Sequence, residues 1–196
     1  MTSSRDGFSL VELLLALALG FMLVAVIGQA LLGELGHSGR LARILRERSV
    51  SYRALELMRM ELQEASAVHV MPGAIQRAGC ALADRTVLLH LDFMPEAAQP
   101  GNEDVTYSLE PKPDGIWRGQ TLMRCGPAYG LDGQMEEDSV AVSRVWLDGI
   151  APNGVTLSRK GQDLVEVVLN RAFEQTDKTP HSMTFKASFA VPAFSE

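Results

Sequence analysis

Glu12 is the residue that asks most of its surroundings. It stands five residues past Gly7, and from Leu13 to Leu32 the chain carries no charge at all. A charge beside hydrocarbon is costly: insertion scales give about 2.5–3.5 kcal/mol for Asp, Lys or Arg at a helix centre, and less towards the ends. Glu12 therefore needs a partner. Two cysteines, Cys80 and Cys125, lie beyond the apolar run. In an oxidising compartment they can join as a disulfide; two buried free thiols are the other reading. Asp132, Glu136, Glu137 and Asp138 form an acidic cluster in a Gly-rich stretch, with oxygens suited to Ca²⁺. They lack EF-hand spacing, and a solvated loop is the plainer reading. The four histidines, His37, His69, His90 and His181, share no metal-ligand spacing and read as ordinary surface or half-buried residues. No CxxC, GxSxG, GxxxxGK[ST], GxGxxG or HExxH occurs. Nothing here asks for a cofactor or marks an enzyme.

The elements that position these groups follow from the hydrophobic pattern. Twenty residues from Leu13 to Leu32 make about 30 Å of helix, the hydrocarbon thickness of a bilayer. A secretory peptide has a shorter core that ends at a small-residue cleavage site. This run continues into more helix, so it reads as a retained span over about residues 10–32. Residues 8–66 form one helix in this reading. Beyond Leu32 its apolar groups narrow to a stripe: Leu41, Ile44, Leu45, Tyr52, Leu55, Met58, Leu62 and Ala65. Arg40, Arg43, Arg46, Glu47, Arg53, Glu56, Glu61 and Glu64 take most of the remaining surface. Gly28, Gly33, Gly36 and Gly39 mark where a bend is expected, because each lowers helix stability by up to about 1 kcal/mol relative to Ala.

Met71-Pro72-Gly73 closes the helical region, and the pattern then changes to short β-rich runs between turn residues. Strands are expected at Thr86–Phe93, Asp104–Leu109, Ile116–Arg124, Ser139–Leu147, Val155–Ser158, Asp163–Asn170 and Ser182–Val191. At 196 residues the chain has room for one domain beside a membrane segment. The expected class is α+β, a long N-terminal helix packed on a β-rich head of residues 67–196. That head holds 11 Lys and Arg against 17 Asp and Glu, a balance of −6 equal to that of the whole chain. An acidic head argues against non-specific nucleic-acid binding, which needs a basic surface to displace counterions.

The short polar leader ending in Gly7, the run Phe8-Ser9-Leu10-Val11-Glu12 and the unbroken apolar span closely resemble the type III signal of type IV pilins and type II secretion pseudopilins. Signal, span and following helix agree in register over residues 1–66. The resemblance implies a leader of residues 1–7, cleavage by a prepilin peptidase between Gly7 and Phe8, and methylation of the new Phe8 amine. That amine is a cation at the depth of Glu12, so Glu12 of one subunit can pair with Phe8 of its neighbour. An uncleaved signal anchor and a secretory signal peptide are the competing readings of the same segment.

The continuation Ser51-Tyr52-Arg53-Ala54-Leu55-Glu56-Leu57-Met58-Arg59-Met60-Glu61-Leu62 resembles that of PilW-like minor pilins and J-type minor pseudopilins. Tyr107-Ser108-Leu109-Glu110 and Leu122-Met123-Arg124 look like their paired strands. The resemblance implies a non-catalytic minor pilin that primes or caps a type IV pilus. The alternatives are a minor pseudopilin of a type II secretion system, or an envelope enzyme or binding protein that uses the span only as an anchor. It further implies a single pass of the bacterial inner membrane with the head in the periplasm, then a place in a surface filament. Partners would be other pilin or pseudopilin subunits, the prepilin peptidase and the inner-membrane assembly platform.

Overall fold

The computed structural model describes residues 9–73, 79–93, 104–111, 115–136, 139–174 and 180–191, with the side chains of 33–37 set aside. The fold is α+β: one helix, α1 (Leu10–Glu64), precedes seven strands. The chain divides into two compact units, Met1–Leu45 and Arg46–Glu196, and α1 contributes to both. Gly28, Gly33, Gly36 and Gly39 lie inside α1 without interrupting it.

In the first unit, Leu10–Leu32 is long and apolar enough to cross a membrane, as an anchor or a signal sequence. Its large side chains, among them Leu14, Leu17, Phe21, Leu23 and Leu31, are exposed. At 1.5 Å per residue, 23 residues rise about 34 Å, a full hydrocarbon thickness.

The second unit is built on a sheet of β1 (Ala67–Val70), β2 (Thr86–Asp92), β3 (Val105–Glu110), β4 (Gln120–Gly126), β5 (Val142–Lys160), β6 (Leu164–Glu174) and β7 (Pro180–Ala190). The strands pair in chain order, each antiparallel to the next. Alternation gives the sheet an inner face. On it Val68, Leu89, Leu91, Val105, Tyr107, Val165, Val167 and Leu169 form one core with Ala54, Leu55, Met58 and Leu62 of α1 and Ala65 just after it. The last α-helical bond runs from Ala65 N–H to Glu61 O, and Ser66 then donates from both its backbone N–H and its hydroxyl to Asp92 O.

Three expectations change. The helix expected over residues 8–66 is α1, Leu10–Glu64, but residues 67–70, where no strand was expected, form β1. The two-residue connection Ala65-Ser66 holds no Gly or Pro to announce it. The strands expected at Ser139–Leu147 and Val155–Ser158 merge, from Val142 on, into the single strand β5, whose pairing with β6 shifts between Ile150 and Val155. A bulge takes up the extra residues there: Asn153 is left-handed at φ 54°, and a Cβ on Gly154 would lie 2.5 Å from Asn170 O. The strand expected from Ile116 begins at Gln120, because Gly119 is left-handed and its Cα faces the Ile150 carbonyl.

Cys80 and Cys125 are joined in a disulfide with Cα atoms 5.8 Å apart. The bond is compatible with an extracytoplasmic location. It ties a segment 45 residues upstream to β4. Replacing both cysteines by serine is expected to lower unfolding free energy by about 2–4 kcal/mol. Urea unfolding of the two proteins in the same micelles measures the difference.

Candidate functional site

The N-terminus of α1 gives Glu12 a structural partner within its own chain. Ser9 precedes the first helical turn, where backbone N–H groups have no acceptors. Glu12 N–H donates to Ser9 Oγ at 3.3 Å, and Ser9 N–H donates to Glu12 Oε2 at 3.1 Å. This is a capping box, Ser-x-x-Glu, and it also sets a carboxylate at the positive end of the helix dipole. The sequence carried that signal beside the charge argument. Gly7 and Phe8 lie outside the described residues.

In the second unit, α1 meets the sheet through two buried polar groups. Its buried positions are Glu47, Ser51, Ala54, Leu55, Met58, Glu61 and Leu62, recurring at three and four, and Ala65 just beyond the helix continues the series. Glu47 and Glu61 are therefore on the packed face, not among the solvent-side charges, while Leu41, Leu45 and Tyr52 are exposed.

Glu61, at 0% exposure, is held from three directions. Arg124 Nε donates to its Oε1 at 2.7 Å, and a second Arg124 nitrogen lies 2.6 Å away. Tyr129 Oη donates to Oε1 at 2.6 Å, and Tyr107 Oη donates to Oε2. Tyr107 and Arg124 are direct neighbours across β3 and β4, so strand register delivers both donors to one carboxylate. Arg124 also donates to Pro127 O at 2.9 Å and lies over the rings of Tyr129 and Trp146. Trp146 Nε1 donates to the Ala54 carbonyl of α1 at 3.3 Å. Burial, with the nearby Glu61 carboxylate, pushes the Tyr107 and Tyr129 hydroxyls well above the ordinary phenol range, so both stay donors. Burial opposes the charge on Arg124, but Glu61 outweighs it and holds the guanidinium protonated.

The other group joins Glu47 and Ser51 of α1 to Arg118, Asp148 and Arg171. Arg171, at 1% exposure, donates to Glu47 Oε2 at 2.8 Å, Ser51 Oγ at 3.0 Å and Asp148 O at 2.9 Å. Arg118 bridges Glu47 Oε1 at 3.0 Å and both Asp148 oxygens at 3.1 Å. Two guanidinium groups thus meet two carboxylates, and charge balances locally. Desolvation lowers the Arg171 pKa from its ordinary value, whereas the hydrogen bond to Asp148 raises that of Arg118.

These groups hold and orient; they present no nucleophile beside a base. Of the acidic cluster, Asp132 and Glu136 flank Gly130, and Asp132 Oδ1 accepts from Gln134 N–H at 3.1 Å within the turn. Glu137 and Asp138 lie outside the described residues. His69 and His90, distant in sequence, are cross-strand neighbours with ring centroids 6.0 Å apart. The sequence signals for the buried groups are charges at inward positions: Arg171 in the series Val165, Val167, Leu169, Arg171, Phe173, and Glu61 between Met58 and Leu62. The chain matches no family model, no curated protein and no solved structure.

Removing one partner of a buried ion pair strands the other. Glu61→Leu is expected to cost about 3–5 kcal/mol by leaving Arg124 uncompensated, and the double change Glu61→Leu with Arg124→Leu to cost less than the two single changes added. Urea unfolding of the four proteins closes that cycle. Asp148 gives a pH signature. Burial alone would raise its pKa, but hydrogen bonding to Arg118 holds it below the ordinary 3.8. A depressed carboxylate contributes its stability above the unfolded value, and loses it as pH falls through the folded one. Thermal melts from pH 6 to pH 2 should show a steeper acid loss below about pH 4 for the native chain than for Asp148→Asn.

Proposed function

We propose that this chain is a minor pilin, a structural subunit of a bacterial type IV pilus and not an enzyme. In this reading prepilin peptidase cuts between Gly7 and Phe8, and the Phe8 amine is methylated. The span Leu10–Leu32 then holds the subunit in the inner membrane with its head in the periplasm. The assembly platform draws it among other pilin subunits, where it primes or caps the filament for adhesion, motility or DNA uptake. The observation that carries the reading is one continuous helix with two chemistries. Its first part is an apolar, exposed span opened by a Ser9–Glu12 box; its last turns belong to the core of a β-sheet head. An apolar helix that ended at the membrane surface would serve an anchor equally well. A helix shared with the head supports a subunit whose span packs beside other helices.

Glu12 has two separable roles in this proposal: it caps its own helix, and its charge pairs with a neighbour's Phe8 amine. Glu12→Gln keeps an oxygen for Ser9 N–H and removes the charge, whereas Glu12→Ala removes both. Mass spectrometry of protein from the native host should find a mature start at N-methyl-Phe8, with residues 1–7 gone. Glu12→Gln and Glu12→Ala should both insert in the membrane and both fail to enter filaments. An intact Met1 refutes processing, and a Glu12→Gln variant that assembles normally leaves capping as the residue's only role.

A further inference from the structure

Outside the buried groups, the sheet gathers a second set of chemically capable side chains on its outer face. Strand register sets His69, His90 and Thr106 in one row across β1, β2 and β3. Asp92 lies two residues beyond His90 on the same face, and Asp104 immediately precedes β3, opposite Asp92 by the same register. Ligand atoms of His90, Asp92 and Asp104 all lie within 4.8 Å of one another. Each oxygen of Asp92 meets one imidazole: His90 Nε2 is 3.0 Å from Oδ1, and His69 Nε2 is 3.0 Å from Oδ2. On its other side, His90 Nδ1 lies 2.9 Å from Thr106 Oγ1, a fully buried hydroxyl.

We propose that His90, Asp92 and Asp104 form a binding site for a divalent transition-metal ion of the zinc type, with His69 and Thr106 orienting the ligands. The donor set decides the class. One imidazole with two carboxylates is harder than a thiolate site, yet the imidazole favours zinc over calcium or magnesium, which take all-oxygen shells. Bonds of about 2.0–2.2 Å at tetrahedral angles put ligand atoms about 3.4 Å apart. The His90–Asp92 separation of 3.0 Å needs only a slight opening, and the 4.8 Å limit of the group needs a modest closing.

The surrounding bonds match a ligand shell. With Nδ1–H donating to Thr106 Oγ1, His90 Nε2 can give its lone pair to a cation in exchange for its contact with Asp92 Oδ1, and this outer bond fixes the ring's tautomer and orientation. His69 Nε2–H donating to Asp92 Oδ2 leaves Oδ1 to coordinate. The side chains of His69, His90 and Asp92 are 27%, 14% and 31% exposed, open to entry yet partly screened from water. The ion would also act at a structural joint. Asp92 O accepts both hydrogen bonds from Ser66 where α1 hands over to β1, so coordination of the Asp92 side chain would pin the edge strand to β2 and β3.

The test uses the untagged full-length chain in detergent micelles, stripped with a chelator and titrated with zinc chloride against a chromophoric competitor. One zinc per chain should bind, with a rise in melting temperature. His90→Ala and Asp104→Asn should each weaken binding at least 100-fold. Thr106→Val, nearly isosteric, should weaken it roughly 10–100-fold, the usual effect of losing a partner that orients a ligand. His181→Ala should bind as the native chain does. No saturable zinc binding by the native chain would overturn the site, as would native affinity in Asp104→Asn. Saturable calcium binding without zinc binding would overturn the metal class.

Discussion

The carboxylate of Glu61 governs how the helix and sheet of the second unit fit together. It is fully buried, and its two oxygens take Arg124, Tyr107 and Tyr129 as donors. Taking an ionised group out of water is unfavourable by several kcal/mol unless opposite charge and hydrogen bonds replace the lost hydration. Here all the replacement comes from β3, β4 and the turn after β4, so α1 has one rotation that satisfies it. The apolar contacts of Leu55, Met58 and Leu62 tolerate more slippage than a carboxylate does. Hydrophobic burial therefore supplies the attraction, and Glu61 supplies the register.

Glu47 repeats the device at the other end of the packed segment, fourteen residues earlier and about 21 Å away along the axis. Two buried carboxylates on one face fix both the rotation and the height of residues 46–64 on the sheet. The rest of α1 follows different rules. Leu10–Leu32 carries no buried group to hold it, and its exposed leucines and valines suit hydrocarbon or the flanks of other apolar helices. Residues 46–64 are fixed on the sheet, and the span carries an unfilled apolar surface. Both features suit the proposed minor-pilin role.

Much of this was legible in residue patterns. The uncharged run fixed the span to within a few residues, alternation fixed β3 and β7 closely, and apolar β-rich runs between turn residues located β2 and β6. The errors have definite causes. Glu47 and Glu61 read as solvent-side because they are charged, while a spacing of four from Ser51 placed Glu47 inward and spacings of three and four from Met58 and Ala65 placed Glu61 inward. β1 is four residues long and follows the helix without a breaker, so no local signal separates it. Pro152-Asn153-Gly154 fell between two expected strands, yet in β5 it is a bulge held by pairing with β6. His69 and His90 stand 21 residues apart, and only the antiparallel register brings them face to face. Side-chain chemistry was visible where it broke a period, and invisible where it depended on which strand lay next to which.

The central claim is that Leu10–Leu32 packs against the spans of other subunits and does more than hold the chain in lipid. A photoreactive amino acid at Leu17 or Phe21, both exposed on α1, tests it in living cells of the native host. Illumination during filament assembly should give adducts with other single-span subunits that carry the same kind of N-terminal signal. Adducts with lipid alone, in cells that are assembling filaments, would contradict the account.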